Sequence, residues 1–254
     1  MKLKTFLSSV LILLSVAGAH SQSRSCLCDT LVDNPFKPQL RGQVFHWDKY
    51  INGSIYFYEE FVNGEILLSN GEWVYNKLIQ YNGYSDELIQ FEETSQKLIQ
   101  LDKQFIQEFR FNDSQRNMSQ IFRKTITKPD LFSDSVEVFV QVLHEDTISL
   151  FVWRKIKITG AVIEKSRETE VSVDKYTPVP VYFLKFADGS IISFNKIKRS
   201  AIISSFPGRE REIKTLLRKN NLRLLKEEGQ LKKFVTILNQ SDFQYLTLYP
   251  ANQQ

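Results

Sequence analysis

The chain has 254 residues, 42% hydrophobic and 24% charged, with a formal net charge of +4 and two cysteines. That balance suits a packed globular body. It excludes a disordered polyelectrolyte, and two cysteines are too few for a disulfide-stapled miniprotein.

The chain opens with Lys2 and Lys4, an apolar run over 6–16 broken only by Ser8, Ser9 and Ser15, and the small residues Ala17, Gly18, Ala19 and Ser21. This reads as a cleavable secretory signal peptide over 1–21. Ala19-His20-Ser21 supplies the small side chains that a signal peptidase accepts, and cleavage after Ala19 is the alternative. An uncleaved anchor is the competing reading, but spanning a bilayer takes roughly 20 apolar residues. The expected location is therefore outside the cytoplasm, periplasmic or extracellular, with outer-membrane association as a further option. Removing 21 of 254 residues leaves 233, enough for one all-β domain with an extension.

Residues 22–52 read as a loop-rich leader, with Pro35 and Pro38 opposing regular structure. Cys26 and Cys28 are separated by one residue, so a bridge between them would be strained. Free thiols or a labile disulfide is the simpler reading. Lipidation of Cys26 would need a cysteine directly after the apolar run, and a metal site lacks further ligands at suitable spacing.

From Gly53 the pattern becomes that of strands. The predicted elements are a strand over 56–62, a tight turn at Asn63-Gly64, a strand over 65–69, a turn at Asn70-Gly71 and a strand over 73–81. Lys77-Leu78-Ile79-Gln80-Tyr81, Glu87-Leu88-Ile89-Gln90-Phe91 and Lys97-Leu98-Ile99-Gln100-Leu101 then recur every ten residues. Ten residues suit a strand plus a turn, hence an antiparallel meander. Further strands are expected over 104–111, 121–127, 136–143 and 147–159, followed by a charged, mobile hairpin or insertion over 160–177. A last hairpin turns at Asp188-Gly189. Within 136–143 the alternation of Val136, Val138, Val140 and Val142 places four valines on one face.

Helical spacing takes over after residue 197. Ile202, Ile203 and Phe206 precede a break at Pro207-Gly208. Ile213, Leu216 and Leu217 mark a second helix that stops at Asn220-Asn221, and Leu231, Phe234, Val235 and Leu238 form a third stripe. Such short helices are unstable alone and must dock their stripes on the sheet. The expected fold is mainly β: an antiparallel meander over 53–197, forming a curved sheet, a partly closed barrel or a sandwich, with a helical extension over 198–254 docked on it.

The order Gly53-Ser54, Phe61-Val62-Asn63-Gly64, Tyr81-Asn82, Asp86-Glu87, Asp188-Gly189 and Phe206-Pro207 resembles a group of uncharacterised, signal-peptide-bearing envelope or secreted proteins of Bacteroidota. The resemblance covers nearly all the mature chain and rests on turn and strand punctuation. It implies a bacterial envelope location and carries no catalytic residues.

Catalytic motifs are sparse. His46 and His144 are the imidazoles left after cleavage, and no Gly-x-Ser-x-Gly elbow or phosphate-cradling glycine loop occurs. Glu59-Glu60 and Glu92-Glu93 are adjacent pairs whose members point to opposite faces of a strand. Asp130 and Asp134 share a loop but lack the dense ladder of a calcium site. A hydrolase using carboxylates or His144 in a cleft is the enzyme reading. The stronger expectation is a non-enzymatic binding or interaction module with no cofactor, metal or nucleic acid. Its candidate ligand face is the aromatic group Tyr56, Tyr58, Trp73, Tyr75 and Tyr81, suited to an amphipathic ligand or an envelope protein, although aromatics equally serve as β core. Sheet-edge pairing with another chain is a third option.

Charge is uneven along the chain. Residues 22–195 hold 19 basic and 24 acidic side chains, whereas residues 196–233 hold 12 and 4. Arg209, Arg211, Lys214, Arg218 and Lys219 therefore form a candidate basic surface for an anionic lipid face or an acidic partner; a merely solvated helix face is the plainer reading. Asn-x-Ser/Thr matches fall at Asn52, Asn112, Asn117 and Asn239.

Overall fold

The computed structural model describes residues 39–45, 52–113, 118–127, 135–165, 170–222 and 225–241. The leader cysteines, His46 and the Asp130/Asp134 loop lie outside the described residues. Thirteen strands form, eleven of them in one open antiparallel sheet and two in a separate ribbon. The strands are β1 (Gly42–Val44), β2 (Val62–Leu68), β3 (Trp73–Asn82), β4 (Glu87–Glu92), β5 (Lys97–Leu101), β6 (Ile106–Asp113), β7 (Met118–Thr127), β8 (Val136–His144), β9 (Ser149–Trp153), β10 (Ile156–Lys165), β11 (Glu170–Pro178), β12 (Val181–Lys185) and β13 (Ile191–Phe194). Across the main sheet they run β1-β5-β4-β3-β2-β6-β7-β8-β9-β12-β13. A 3-10 turn, Lys103–Phe105, leads into β6. Three helices follow: α1 (Arg199–Ser204), α2 (Glu210–Lys219) and α3 (Glu228–Asn239). Among the described residues no helix is long and apolar enough to cross a membrane.

The ten-residue echo becomes β3, β4 and β5. Because successive strands run antiparallel, the register sets Ile79 against Gln90 and Ile89 against Gln100. The glutamines therefore alternate faces from strand to strand. Gln80 spans from β3 to the carbonyls of Tyr58 and Glu59, both at 2.9 Å, where the chain bulges before β2.

Two cores share one face of the sheet. Tyr81, Phe109, Phe111, Phe122 and Phe139 fill the first, under a lid of Phe57 and Tyr58. Phe109 and Phe122 stack at 4.8 Å, while Phe111 meets Phe122 edge-on, the two geometries that aromatic quadrupoles favour. The second core lies between β9, β12, β13 and the helices, where Ile213, Leu217, Leu231, Phe234, Val235 and Leu238 are all fully buried. The helical stripes read from sequence thus dock as expected.

A polar seam separates the cores. Arg154 donates from Nε to Gln141 Oε1 at 2.6 Å, while its two terminal nitrogens grip both oxygens of Glu228 in the first turn of α3 at 2.5 and 2.9 Å. Tyr182 adds its hydroxyl to Glu228 at 2.9 Å. On the other face Val138, Val140, Trp153, Val181 and Phe183 form a small third cluster, so the valine alternation faces away from the aromatic core that Phe139 enters.

Two expectations need correction. The strand over 56–62 and the turn at Asn63-Gly64 are replaced by an irregular segment with one bridge, Tyr56 to Asn82, and by β2 continuing through Gly64, with a shift of register against β3 between Gly64 and Ile66. Here glycine marks a close approach, since a Cβ on Gly64 would lie 2.4 Å from Ile79 Cδ1 and 2.5 Å from the Arg110 carbonyl oxygen. The strand over 147–159 divides into β9 and β10, and β10 leaves the sheet to pair antiparallel with β11, which makes a hairpin of most of the segment expected over 160–177 to be a hairpin or insertion.

Candidate functional site

The sheet curls because the apolar face of β2 to β8 wraps its own aromatic side chains. Flat strands spaced about 4.8 Å apart would put β3 and β8 roughly 19 Å from each other. Instead Asp86, in the β3–β4 turn, reaches β8 directly. Its carboxylate accepts the Phe139 backbone N–H at 3.2 and 3.3 Å, the Tyr81 hydroxyl at 2.5 Å and the Lys103 ammonium. Lys103 also donates to the Glu137 carbonyl at 2.6 Å. Lys124 completes the bridge from β7 by donating to the carbonyls of Lys103 and Gln104 at 3.2 and 3.3 Å.

Burial is the largest influence on Asp86. It holds the carboxyl above the usual aspartate range, against the pull of Lys103, Tyr81 and the Phe139 amide. Tyr81 is also pushed well above the ordinary tyrosine value, by burial and then by the Asp86 charge beside it. The pair therefore shares a proton-bearing hydroxyl and a fully engaged carboxylate, not a free acid or base.

Outside this latch lies a groove of about 760 Å³, walled by the residues leading into β1, the β3–β4 turn, the end of β5 and the 3-10 turn. That volume is within the range of small-molecule sites. Its charged side chains are Arg41, Asp86, Glu87, Asp102 and Lys103. Glu87 accepts from Gln100 Nε2 at 2.6 Å, and Asp102 caps the 3-10 turn by accepting from Gln104 N at 3.2 Å and Gln104 Nε2 at 2.7 Å. The Arg41 guanidinium carbon lies 4.6 Å above the Phe105 ring.

The five candidate aromatics do not line one surface. Tyr81 is fully buried in the first core and Tyr58 packs against it. Tyr56 is half-buried on the bridge to Asn82. Trp73 and Tyr75 are brought together, ring centroids 6.2 Å apart, with Arg110 4.4 Å above Trp73 and Tyr75 56% exposed. Beside them Arg110 and Arg123 close on the buried carboxylate of Glu108 at 2.8 and 3.0 Å, and Arg123 continues to Glu145 at 2.6 Å.

The candidate basic residues Arg209, Arg211, Lys214, Arg218 and Lys219 are all exposed. Arg209 pairs with Glu212 at 3.3 Å. Arg211, Lys214 and Arg218, spaced i, i+3 and i+7, fall on the side of α2 away from buried Ile213 and Leu217. His144 stands against α3, its Nε2 3.4 Å from Asn239 Nδ2, and its neighbour Glu145 is held by Arg123. Among the described residues no cluster of three or more His, Cys, Asp or Glu could hold a metal ion.

In the sequence Asp86 is a turn residue, Phe105 is one of the apolar residues of the strand expected over 104–111, and Arg41 and Lys103 carry no site signal. Nothing local marks them, because they meet only once the sheet has curled. Comparison with protein families, with curated proteins and with solved structures finds no match to the chain.

Proposed function

We propose that the mature chain is an exported, non-enzymatic binding or interaction module of the bacterial envelope, and that the groove beside Asp86 is its ligand site. One observation carries this reading. The groove holds polar groups able to orient a ligand, yet each of its carboxylates is already engaged by a neighbouring side chain. General acid–base work needs a group with a proton to give or a lone pair to take within reach of substrate. The hydrolase reading gains no support from His144, whose Nε2 lies 3.4 Å from an α3 amide and whose neighbour Glu145 is held by Arg123.

The test is thermal denaturation of the processed protein with a panel of fatty acids, short glycans and envelope extracts, paired with hydrolase assays on ester, peptide and glycoside substrates. A saturable rise in melting temperature without turnover supports a binding module. Turnover of any of these substrates would overturn the non-enzymatic reading, and its loss or survival in Asp86 and His144 variants would say whether the chemistry sits in the groove, at His144 or elsewhere.

A second contact is favoured by α2. Its apolar stripe is buried in the second core, so it cannot insert into a bilayer, but Arg211, Lys214 and Arg218 face outward together. Peripheral attraction to an anionic surface fits this arrangement. Sedimentation with phosphatidylglycerol vesicles should fall steeply with salt and be absent with phosphatidylcholine.

A further inference from the structure

The formal charges in the groove wall, two basic and three acidic, sum to minus one and suggest a site for cations. The hydrogen bonds reverse that reading. Asp86 is enclosed by Tyr81, Lys103 and Phe139 N, Glu87 holds Gln100, and both oxygens of Asp102 are used on Gln104. Lys103 is committed to Asp86 and to the Glu137 carbonyl. Arg41 alone among the groove's charged side chains has no side-chain hydrogen-bond partner among the described residues.

Arg41 is nonetheless held in place. Its carbonyl accepts the Asp102 N–H at 2.8 Å, which fixes the backbone against the 3-10 turn. Its guanidinium lies on Phe105 of that same turn at 4.6 Å. Stacking on a ring orients the guanidinium plane and leaves its N–H edge free, the geometry that grips a carboxylate or phosphate through two parallel hydrogen bonds. An arginine ordered by a ring and not by an acid pays little further entropy on receiving one.

We propose that Arg41, seated on Phe105, is the anion anchor of the groove, and that the ligand is a small acidic molecule bearing a carboxylate or a phosphate. This rests on the groove reading above and specifies the ligand's chemistry. Leu40, Leu101, Gln43 and Gln104 are also in the groove wall, so the rest of the ligand would meet both apolar and amide groups.

The test is titration calorimetry on the processed protein with matched acid and neutral probes: decanoate and decyl phosphate against decanol, and glucuronate against glucose. At least one acid should bind about tenfold or more tightly than its neutral partner, the range expected of a charge-assisted hydrogen bond. Arg41→Gln should erase that preference, Arg41→Lys should restore only part of it, and Phe105→Leu should weaken it. Circular dichroism should show every variant folded. The two acid types separate a fatty or sugar carboxylate from a phosphate headgroup. Equal binding of acid and neutral probes, both lost in Gln43→Trp, would overturn the role of Arg41 and leave the groove standing. A preference unchanged in Arg41→Gln would overturn it as well. Absence of binding by all five probes would overturn both.

Discussion

Asp86 accepts the backbone N–H of Phe139 at 3.2 Å across 53 residues of sequence, tying the β3–β4 turn to the buried first half of β8. That contact pins a curl that the aromatic core drives. Asp86→Ala would leave the Tyr81 hydroxyl and the Phe139 amide unpaired in a buried setting and Lys103 with the Glu137 carbonyl, a loss of about 2–4 kcal/mol by urea denaturation. Asp86→Asn keeps an oxygen for the amide and should cost far less. Acidity distinguishes the two states of the latch. Because the folded carboxyl is raised, its contribution is fully present below the ordinary aspartate pKa of about 3.9 and is lost as pH rises through the higher folded value. The stability of the wild type relative to Asp86→Asn should therefore increase on acidification across that window. The opposite slope would mean that the ion pair with Lys103 outweighs burial.

Gly64 tests whether the glycine inside β2 serves packing. An added Cβ meets Ile79 Cδ1 at 2.4 Å and the Arg110 carbonyl at 2.5 Å. A side-chain terminus can move, but a carbonyl paired in the sheet cannot do so cheaply. Gly64→Ala should cost about 1–3 kcal/mol, whereas Gly71→Ala meets nothing within 4 Å and is strained only by its φ of +87°. A loss at Gly64 below about 0.5 kcal/mol would argue that the sheet shifts around the added methyl and that the close approach carries no weight.

These two glycines also mark what the sequence could convey. Asn70-Gly71 is the turn its dipeptide announces, with the Gly71 N–H on the Leu68 carbonyl at 2.9 Å. Asn63-Gly64 carries the same local signal but is overruled by neighbours from β3 and β6. Period-based features were legible: the ten-residue repeat, the Val136 to Val142 alternation and the stripe from Leu231 to Leu238 each report a face that one element buries by itself. The split of β9 from β10 was not, since it depends on which strand Ile156 pairs with. Nor was the groove. Arg41, Asp86 and Lys103 are apart in sequence and sit just before a strand, in a turn and in a 3-10 turn, where charge is ordinary.

Asn239 closes α3 onto the sheet by treating Ile148 as a strand partner would. Its Oδ1 accepts the Ile148 N–H at 2.7 Å and its Nδ2 donates to the Ile148 carbonyl at 2.9 Å. Asn239→Ala would strand both buried backbone groups, for about 2–4 kcal/mol in a chemical melt. Asn239→Asp keeps the acceptor but turns the donor into a repelling oxygen, and should not rescue. The amide is also the acceptor of the Asn239-Gln240-Ser241 match, so glycosylation and this clamp exclude each other. Expression in a glycosylating host should leave Asn239 unmodified in folded material, as peptide mass mapping would read.

Glu228 should behave in the sense opposite to Asp86. Burial works to raise its carboxyl, but the paired hydrogen bonds and charge of Arg154, with the Tyr182 hydroxyl, bring it below the usual glutamate range. Its contribution is present above about 4.3, the unfolded value, and disappears as pH falls through the lower folded one. The pair is about a quarter exposed, Arg154 at 21% and Glu228 at 29%, so solvent screens part of the attraction. Glu228→Gln should then cost about 1–2 kcal/mol at pH 7 and progressively less toward pH 3, measured as the difference between two urea transitions. Tyr182, held above the ordinary tyrosine value by burial and by Glu228, should ionise nearer that value in the variant, visible as tyrosinate absorbance at lower pH. A difference that instead widens with acid would assign the docking of α3 to its buried stripe alone and leave the Arg154 seam without energetic weight.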